Sequence, residues 1–325
     1  MRVLITGIDG FVGSHMAELL LREGGVEIHG TVLEPRESHH IRHLEGRLAL
    51  HRLDIDDPAA VEQLVARVAP ERIIHLAGQA FVPTSISHPG KTYRTNVMGG
   101  VSILDASRSQ FQRQGTSPSV LIVSSAEVYG PVDPAHQPLT EQMPLQPRSP
   151  YAASKAAIDL IGQDYQRTFG VDVVVVRPFN HVGPRQSPVF VCSDFARQFA
   201  RIALGKCESR IHVGNLESRR DFTDVRDVVR AYWLLFSRNS MHRVFNVCSA
   251  TTVSILEIVS LLKEISGVSV ELVTEQNRIR PSEATLTVGS YDRLHEATGW
   301  APAFVLRQTL SDVFAYWKAE IAAAA

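Results

Sequence analysis

Tyr151 and Lys155 stand four residues apart in a stretch with a helical pattern, at about residues 149–168. On a helix this spacing places both side chains on one face, where an ammonium group favours the phenolate form of the tyrosine. A free tyrosine has a pKa of about 10, so a neighbouring positive charge is needed to bring it into range for proton transfer. The pair predicts a proton-transfer site, although Tyr-x-x-x-Lys alone more often marks a plain surface helix.

A second group of polar residues follows a strand predicted at residues 120–124. Ser125 offers a hydroxyl that can hydrogen-bond a substrate carbonyl or alkoxide, and Glu127 adds a carboxylate beside it. Because open α/β sheets bind their ligands at the carboxyl ends of the strands, we expect both residues to join Tyr151 and Lys155 in a catalytic site. The alternative is a serine cluster that only caps the end of the strand.

Glycines near the start of the chain indicate a dinucleotide site. A short apolar run at residues 2–6 ends in a glycine-rich turn, and a helical pattern follows. Such glycines let backbone N–H groups and a helix N-terminus approach a pyrophosphate. The predicted cofactor-binding residues are Gly7, Gly10, Phe11, Val12, Gly13, Leu33, Arg36, Asp54, Ile55, Leu76, Ala77, Gly78, Gln79, Asn96, Ser124, Tyr151, Lys155 and Pro178.

The residues after the second and third strands bear on which dinucleotide is bound. After the strand at residues 26–32, an acid selects NAD and a basic residue tolerates NADP. Glu34 would repel a 2′-phosphate and Arg36 could meet one, so we favour NADP(H) only slightly over NAD(H). Asp54 has two equal interpretations, an acceptor for the adenine amine or the cap of a helix that starts near Pro58.

Strands and helices alternate along the first half of the chain, which predicts an α/β fold with a doubly wound parallel sheet of the Rossmann type. A length of 325 residues exceeds one ordinary core, so we expect a smaller, discontinuous α/β lobe for the substrate. The dinucleotide-binding domain is expected at residues 1–178 plus 219–250. The substrate-binding domain is expected at residues 179–218 plus 251–325.

Composition excludes several classes of function. A net charge of −1 without basic runs gives no reason to expect nucleic acid as a partner. We find no signal-peptide pattern and no apolar run of membrane-spanning length, and so expect a cytoplasmic protein. The three cysteines lack metal-ligand spacing, and the loop histidines His39, His40 and His43 lack acidic or cysteine partners. We therefore expect no metal.

Arginines downstream of the catalytic helix indicate a phosphorylated substrate. A diphosphate carries about two negative charges, and guanidinium groups match its oxygens bidentately. Each arginine alone is more often a surface charge, but Arg185 and Arg280 lie in proline-bounded loops rather than in a helical charge pattern. Ser85 lies in a predicted loop at residues 80–89. The predicted substrate-binding residues are Ser85, Ser125, Asn180, Arg185, Arg220, Arg280 and Glu283.

The chain resembles the extended short-chain dehydrogenase/reductases that act on nucleotide sugars. The glycine turn, Ser125, the Tyr151 and Lys155 pair and the turn Arg177-Pro178-Phe179-Asn180 carry this resemblance, which spans nearly the whole chain. Within the family it is most similar to the branch of GDP-mannose 4,6-dehydratases and GDP-6-deoxy-4-keto-D-mannose reductases. The motifs for that branch are His75-Leu76-Ala77-Gly78-Gln79, Phe179-Asn180-His181-Val182-Gly183-Pro184, Arg220-Asp221-Phe222-Thr223-Asp224-Val225-Arg226-Asp227 and Arg280-Pro281-Ser282-Glu283.

The resemblance implies a nicotinamide cofactor in the N-terminal lobe and a nucleotide sugar, expected to be GDP-linked, in the C-terminal lobe. It also implies a homodimer joined through the two long helices that flank the catalytic strand. The favoured activity is reduction of the 4-keto group of a GDP-4-keto-6-deoxy-hexose, giving GDP-D-rhamnose. In that activity Tyr151 protonates the oxygen, Ser125 holds it, and Lys155 binds the nicotinamide ribose and lowers the pKa of Tyr151.

Two other activities stay open. The first is a GDP-mannose 4,6-dehydratase or 4-epimerase that recycles its cofactor, with Glu127 as the base that removes the C5 proton. The family's dehydratases carry Thr where this chain has Ser125, and a Gln- and Tyr-rich opening after the first glycine that is absent here, so the reductase is favoured. The second, more remote, is a non-catalytic NAD(P)-sensing protein, which the presence of both Tyr151 and Lys155 disfavours.

Overall fold

Strands and helices alternate through the N-terminal part of a computed structural model, which describes residues 1–34, 39–238, 240–275 and 286–323. In chain order the elements are β1 (Arg2–Thr6), α1 (Phe11–Glu23), β2 (Glu27–Val32), β3 (Ala49–Arg52), α2 (Pro58–Val68), β4 (Arg72–His75), α3 (Val82–Ser87), α4 (Pro89–Tyr93), α5 (Gly99–Gln114), β5 (Ser119–Val123), α6 (Pro150–Phe169), β6 (Val173–Pro178), β7 (Asn180–Val182), α7 (Val191–Ala203), β8 (Arg210–Val213), β9 (Arg219–Arg220), β10 (Phe222–Asp224), α8 (Val225–Leu234), β11 (Val244–Val247), β12 (Val253–Ser254), α9 (Ile255–Ser266), β13 (Glu271–Thr274), β14 (Leu286–Thr287), α10 (Asp292–Thr298) and α11 (Leu306–Ala323).

Within the described residues, seven strands form one sheet in the order β11-β6-β5-β4-β1-β2-β3. Every neighbouring pair in it is parallel. The strand order reverses between β1 and β4, and open α/β sheets bind ligands at the carboxyl ends of the strands beside such a point. The predicted α/β class with a doubly wound parallel sheet is confirmed.

Two apolar cores, one on each face, hold this sheet in place. Side chains of α1, α8 and α10 pack on one face, and those of α2, α5 and α6 on the other. The unbroken valines of β6 are all buried and alternate between the two cores, as the two-residue period of a strand requires. A run of valines therefore marks a strand covered on both faces.

A smaller α/β lobe is built from the C-terminal part of the chain. Its core lies where the apolar faces of α7, α9 and α11 meet, with β8 beside them. The domain boundaries expected from the sequence stay a prediction, and the packing adds one detail to them. Leu294, Ala297 and Trp300, in and just after α10, are buried against the core of α1 and α8, so the chain returns to the first lobe late.

Two details differ from the sequence-based expectations. The segment expected to be a loop at residues 80–89 contains the short helix α3, which begins just before Pro83, where proline suits a first helical turn. The long helix expected at about residues 91–112 is α4 and α5 joined by a π-helical turn, Arg94–Met98. None of the described helices is both long and apolar enough to cross a membrane.

Candidate active site

Helix α6 carries Tyr151 and Lys155. Ser149 caps it, its hydroxyl accepting the N–H of Ala152 at 3.1 Å, and Pro150 occupies the first turn, where no hydrogen-bond donor is needed. The two side chains lie one turn apart, both half-buried, as the sequence spacing predicts.

The loop after β5 brings Ser125 and Glu127 to the same place. Ser125 caps a 3-10 turn, Ala126–Tyr129, and its hydroxyl accepts the N–H of Glu127 at 3.1 Å. The hydroxyl of Ser125 and the carboxylate of Glu127 both lie close enough to the phenol of Tyr151 to shift its pKa. The structure therefore gathers three of the predicted catalytic residues around one oxygen atom.

The pKa values of Tyr151 and Lys155 reflect burial. Burial raises the pKa of Tyr151 to about 12, against the lowering effect of its bond with Ser125 and with a further rise from Glu127. Burial lowers the pKa of Lys155 to about 8. Its ammonium group donates to the carbonyl of Val123 at 2.8 Å rather than to the phenol. The prediction that the phenol pKa is lowered toward neutral pH is therefore wrong for this arrangement.

Thr6 at the end of β1 and His75 at the end of β4 join these two central strands. Thr6 Oγ1 is 2.8 Å from His75 Nδ1 and accepts the N–H groups of Leu76 and Ala77 at 3.1 Å each. Burial, together with the charge of Lys155, lowers the pKa of His75 to about 3, so the imidazole is neutral. The sequence analysis missed this pair, and the signal for it was a histidine at the end of β4, directly after two buried isoleucines.

Asn96, whose expected contact with the cofactor stays a prediction, joins two parts of the site. From the π-helical turn, its amide donates to the carbonyl of Gln79 and to Ser154 Oγ, both at 3.0 Å, and accepts the N–H of Gln79 at 2.8 Å. Ser154 in turn donates to the carbonyl of Tyr151 at 2.7 Å. π-Helical turns often occur at functional sites. Among the described residues, Gln79 Oε1 is buried without a partner, so this edge holds a free acceptor.

The glycine turn forms a cradle without side chains. Gly7 has a φ of 66°, and a Cβ there would lie 3.0 Å from Ala77 Cα. A Cβ on Gly13 would lie 2.3 Å from the carbonyl oxygen of Gly7. The backbones of three segments thus meet at the N-terminus of α1, which Gly10 caps without a side chain. This geometry fits a pyrophosphate, because N–H groups and the helix dipole face it unobstructed.

The ends of β2 and β3 lie side by side next to this cradle. Glu34 after β2 is paired with Arg52 at 2.7 Å, and both side chains are exposed. Asp57 rather than Asp54 caps α2, accepting the N–H groups of Ala59 and Ala60 at 3.1 Å. The interpretation of Asp54 as the cap is therefore wrong. Its interpretation as an adenine ligand stays a prediction, and Arg36 lies outside the described residues.

Other predicted cofactor residues keep their expected places without a test of their role. Phe11 and Val12 open α1, Leu33 follows β2 and is 60% exposed, and Ile55 is buried after β3. Gly78 follows β4, Pro178 ends β6, and Ser124 is buried with its hydroxyl 3.3 Å from the carbonyl of Lys155, to which it donates. All belong to the carboxyl edge of the sheet.

The predicted substrate residues are engaged by neighbouring protein groups. Ser85 is fully buried in α3 and donates to the carbonyl of Val82 at 2.6 Å, so its predicted sugar contact finds no support. Asn180 donates to the carbonyl of Asp221 at 3.2 Å. Arg220 donates to the carbonyl of Arg219 at 2.9 Å. Arg280 and Glu283 lie outside the described residues.

Arg185 differs most from its predicted role. Its guanidinium donates to both carboxylate oxygens of Glu18 on α1, at 2.6 and 3.0 Å, and lies 2.9 Å from His15 Nδ1. Its φ of 74° is unusual for a residue with a side chain. These contacts link the loop after β7 to the first helix, and the guanidinium lowers the pKa of Glu18 to about 2 despite burial. The diphosphate contact stays a prediction.

Within the described residues, no group of three or more histidine, cysteine, aspartate or glutamate side chains is placed to hold a metal ion.

The site combines a glycine cradle beside β4 with a serine close to a tyrosine that lies one helical turn from a lysine. This combination suits hydride transfer with a nicotinamide dinucleotide. The protein is an NAD(P)-dependent oxidoreductase of the extended short-chain dehydrogenase/reductase class. A family model described as GDP-mannose 4,6 dehydratase matches residues 4–313. The chain belongs to that family.

Relatives with established names cover the whole chain. It is 35% identical over 322 residues to GDP-6-deoxy-D-mannose reductase from Pseudomonas aeruginosa, with 98% of each chain covered. It is 27% identical to GDP-mannose 4,6-dehydratase from Yersinia enterocolitica, covering 97% of this chain and 93% of that one. The predicted membership of the nucleotide-sugar enzymes is confirmed.

Solved structures agree with this fold. The structure of RMD from Pseudomonas aeruginosa complexed with NADPH has a TM-score of 0.84 at 35% identity and covers 98% of this chain and 99% of that one. UDP-glucose 4-epimerase from Thermotoga maritima with UDP-glucose has a TM-score of 0.87 at 26% identity, over 99% of this chain and 100% of that one.

Proposed function

We propose that the protein reduces the 4-keto group of a GDP-4-keto-6-deoxy-hexose to give GDP-D-rhamnose. The observation that carries this proposal is the full-length similarity to GDP-6-deoxy-D-mannose reductase. Ser125 lies close to the phenol of Tyr151, and its hydroxyl can hydrogen-bond a carbonyl oxygen. A sugar nucleotide with a ketone at C4 is the substrate class that agrees with both the similarity to the reductase and the chemistry of Ser125.

Tyr151 acts as the proton donor to the oxygen at C4. With a pKa of about 12 the phenol is protonated at neutral pH, as an acid in a reduction must be. Ser125 holds the same oxygen and orients it toward the phenol. The bound nicotinamide supplies the hydride. Lys155 is the ligand of the nicotinamide ribose, and its charge offsets the negative charge that develops on the oxygen.

NADPH is the preferred cofactor in this proposal. The relative from Pseudomonas aeruginosa was solved with NADPH. Glu34, the acid that would repel a 2′-phosphate, is already paired with Arg52 at 2.7 Å. The pair leaves the ends of β2 and β3 close to neutral, which removes the main electrostatic barrier to NADPH.

A 4,6-dehydratase is the second candidate, and Glu127 is the residue that favours it. Its carboxylate lies near enough to Tyr151 to raise the pKa of the phenol, where a base for the C5 proton is needed. The family model carries the dehydratase description, and the relative from Yersinia enterocolitica carries the same name. In that reaction the cofactor is oxidised and reduced again in place.

Two incubations separate these candidates. With NADPH and GDP-4-keto-6-deoxy-mannose, the reductase consumes NADPH and forms GDP-D-rhamnose, identified by chromatography against a standard. With GDP-mannose and no added reductant, formation of a 4-keto product assigns the protein as a dehydratase. Parallel incubations with UDP- and dTDP-4-keto sugars test the base of the nucleotide, and faster turnover of either one would contradict the GDP assignment.

We also propose that two copies of the chain associate through α5 and α6. These helices pack side by side and leave large apolar side chains exposed, including Phe111 at 49% and Leu160 at 55%. Exposed apolar residues on two adjacent long helices suit a contact between identical subunits.

A further inference from the structure

Arg177 occupies a buried place between the two halves of the active site. It lies near the end of β6, and its side chain is only 4% exposed. The proton transfer described above does not use it. A charged group in such a place requires partners that satisfy it, and those partners connect it with the site.

The first partner is Asp159 on α6. Asp159 follows Tyr151 by eight residues and Lys155 by four, so all three lie on one face of the helix. Arg177 Nε donates to Oδ2 at 2.7 Å and Nη2 donates to Oδ1 at 3.1 Å. Two parallel bonds to a fully buried carboxylate fix both the distance and the orientation of the helix relative to β6.

The second partner is Tyr129, the last residue of the 3-10 turn that contains Glu127 and that Ser125 caps. Arg177 Nη1 donates to its phenol oxygen at 3.1 Å, and the guanidinium carbon lies 5.2 Å from the ring centroid. The phenol of Tyr129 in turn donates to Asn246 Oδ1 on β11 at 2.6 Å. The turn is thereby attached to two strands through one side chain.

We propose that Arg177 is a positioning residue that sets the spacing between Ser125 and Tyr151. One guanidinium group bonds the helix that carries Tyr151 and, through Tyr129, the turn that Ser125 caps, so it governs how far apart the two hydroxyl groups lie. A lysine would keep the charge, but its single ammonium group lacks the fork that bonds both sides. The role rests on carbonyl reduction at this site and holds whichever sugar nucleotide is reduced.

A second ion pair with a buried arginine provides the control. Arg238 donates to Asp172 at 2.7 Å; the Arg238 side chain is 6% exposed and that of Asp172 is 36% exposed. Asp172 directly precedes β6, so this pair lies at the opposite end of the same strand, away from Tyr151. Replacing either arginine by lysine disturbs a similar ion pair, and only one of the two pairs faces the site.

The test compares Arg177→Lys with Arg238→Lys in the full chain. We expect Arg177→Lys to lower kcat about 10- to 100-fold, since small misplacements of catalytic groups have effects of this size. KM for both substrates should stay within about twofold, because the binding groups are untouched. Arg238→Lys should leave kcat unchanged, although it lowers the thermal unfolding midpoint. Crystal structures should show a longer Ser125 to Tyr151 separation in Arg177→Lys only.

An unchanged kcat in Arg177→Lys, or an equal loss in both variants with the Ser125 to Tyr151 separation unchanged, would assign the ion pair to folding alone and overturn the proposal. Should Arg177→Lys not fold, Tyr129→Phe decides, because it removes the hydrogen bond between Arg177 and the turn and keeps the ion pair with Asp159. A lower kcat supports the positioning role, and a wild-type kcat rejects it. If the wild type reduces no 4-keto sugar, the proposed function fails, and the separation in the crystal structures still tests Arg177.

Discussion

Tyr151 is set up as an acid by the residues around it. Burial and the charge of Glu127 keep the phenol protonated, while the bond to Ser125 works in the opposite direction. A protonated phenol is the form that a ketone reduction needs at its start, and a dehydrogenation would need the phenolate. The environment of this single group therefore keeps it in the form that can donate a proton.

Replacing Tyr151 by Phe should lower kcat about 10²- to 10⁴-fold, the usual contribution of a general acid. The Kd for NADPH, measured by fluorescence titration, should change little. Tyr165→Phe is the control on the same helix, because its hydroxyl bonds Asp105 at the exposed end of α6. A Tyr151→Phe rate near that of the wild type would show that another group donates the proton.

The affinity for NADPH should depend on pH through Lys155. Burial lowers its pKa to about 8, and a bound anionic dinucleotide favours the charged form. Affinity should therefore be full below pH 8 and decrease as the pH rises through it, because binding then requires uptake of a proton. Titrations at several pH values should show this decrease in the wild type and in Lys91→Met, an exposed control. If Lys155→Met shows the same decrease, the titrating group is another one.

Local spacing revealed Ser125, Tyr151 and Lys155, because helix and strand periodicity place them without knowledge of the rest of the fold. It could not reveal the partner of the Lys155 ammonium, the pair of Thr6 with His75, or the link from Arg185 to Glu18. Each of these joins residues far apart in the chain. Their contacts follow from packing between elements, which a single sequence does not show.

At the scale of elements, the cradle depends on how closely α1 approaches β1. Gly13 lies where the helix meets the turn, and its missing side chain permits contact with the Gly7 carbonyl. The strand, turn and helix could be recognised from their order alone. The helix α3 could not be recognised in this way, since residues 80–89 contain two prolines and two serines, a composition typical of a loop.

Gly13→Ala should destabilise the protein by about 1–3 kcal/mol, because its Cβ would overlap the Gly7 carbonyl oxygen and force α1 outward. NADPH binding should weaken with it, since the N-terminus of α1 is displaced. Gly90→Ala is the control, with no atom within 4 Å of its Cβ, and should change stability by about 1 kcal/mol or less. Denaturant unfolding measures both, and equal stabilities would contradict the close approach.

At the scale of the whole molecule, the two lobes are interleaved. The strand order of the sheet could be expected from the alternating pattern, because right-handed parallel crossovers leave few arrangements. The packing of α10 on the first lobe could not be expected from the sequence, since its apolar residues suit either core. Only packing against α1 and α8 decides between them.

Leu160→Glu should convert the proposed dimer to monomers. Its side chain is 55% exposed on α6, and a carboxylate buried between two copies would lack a partner. Met241→Glu, at a residue that is 89% exposed outside the described helices, should leave the dimer intact. Sedimentation velocity distinguishes the two states. A monomeric wild type, or a dimeric Leu160→Glu, would place the contact elsewhere or remove it.

The position of β11 at the end of the sheet has a consequence for biosynthesis. Its partner β6 is synthesised first, and residues 179–243 must follow before β11 leaves the ribosome and pairs with it. Throughout that interval the nascent chain presents a run of four valines with one unpaired backbone edge, the kind of segment that recruits other strands. We therefore expect this edge to be closed to other strands only once β11 has been synthesised and paired with it.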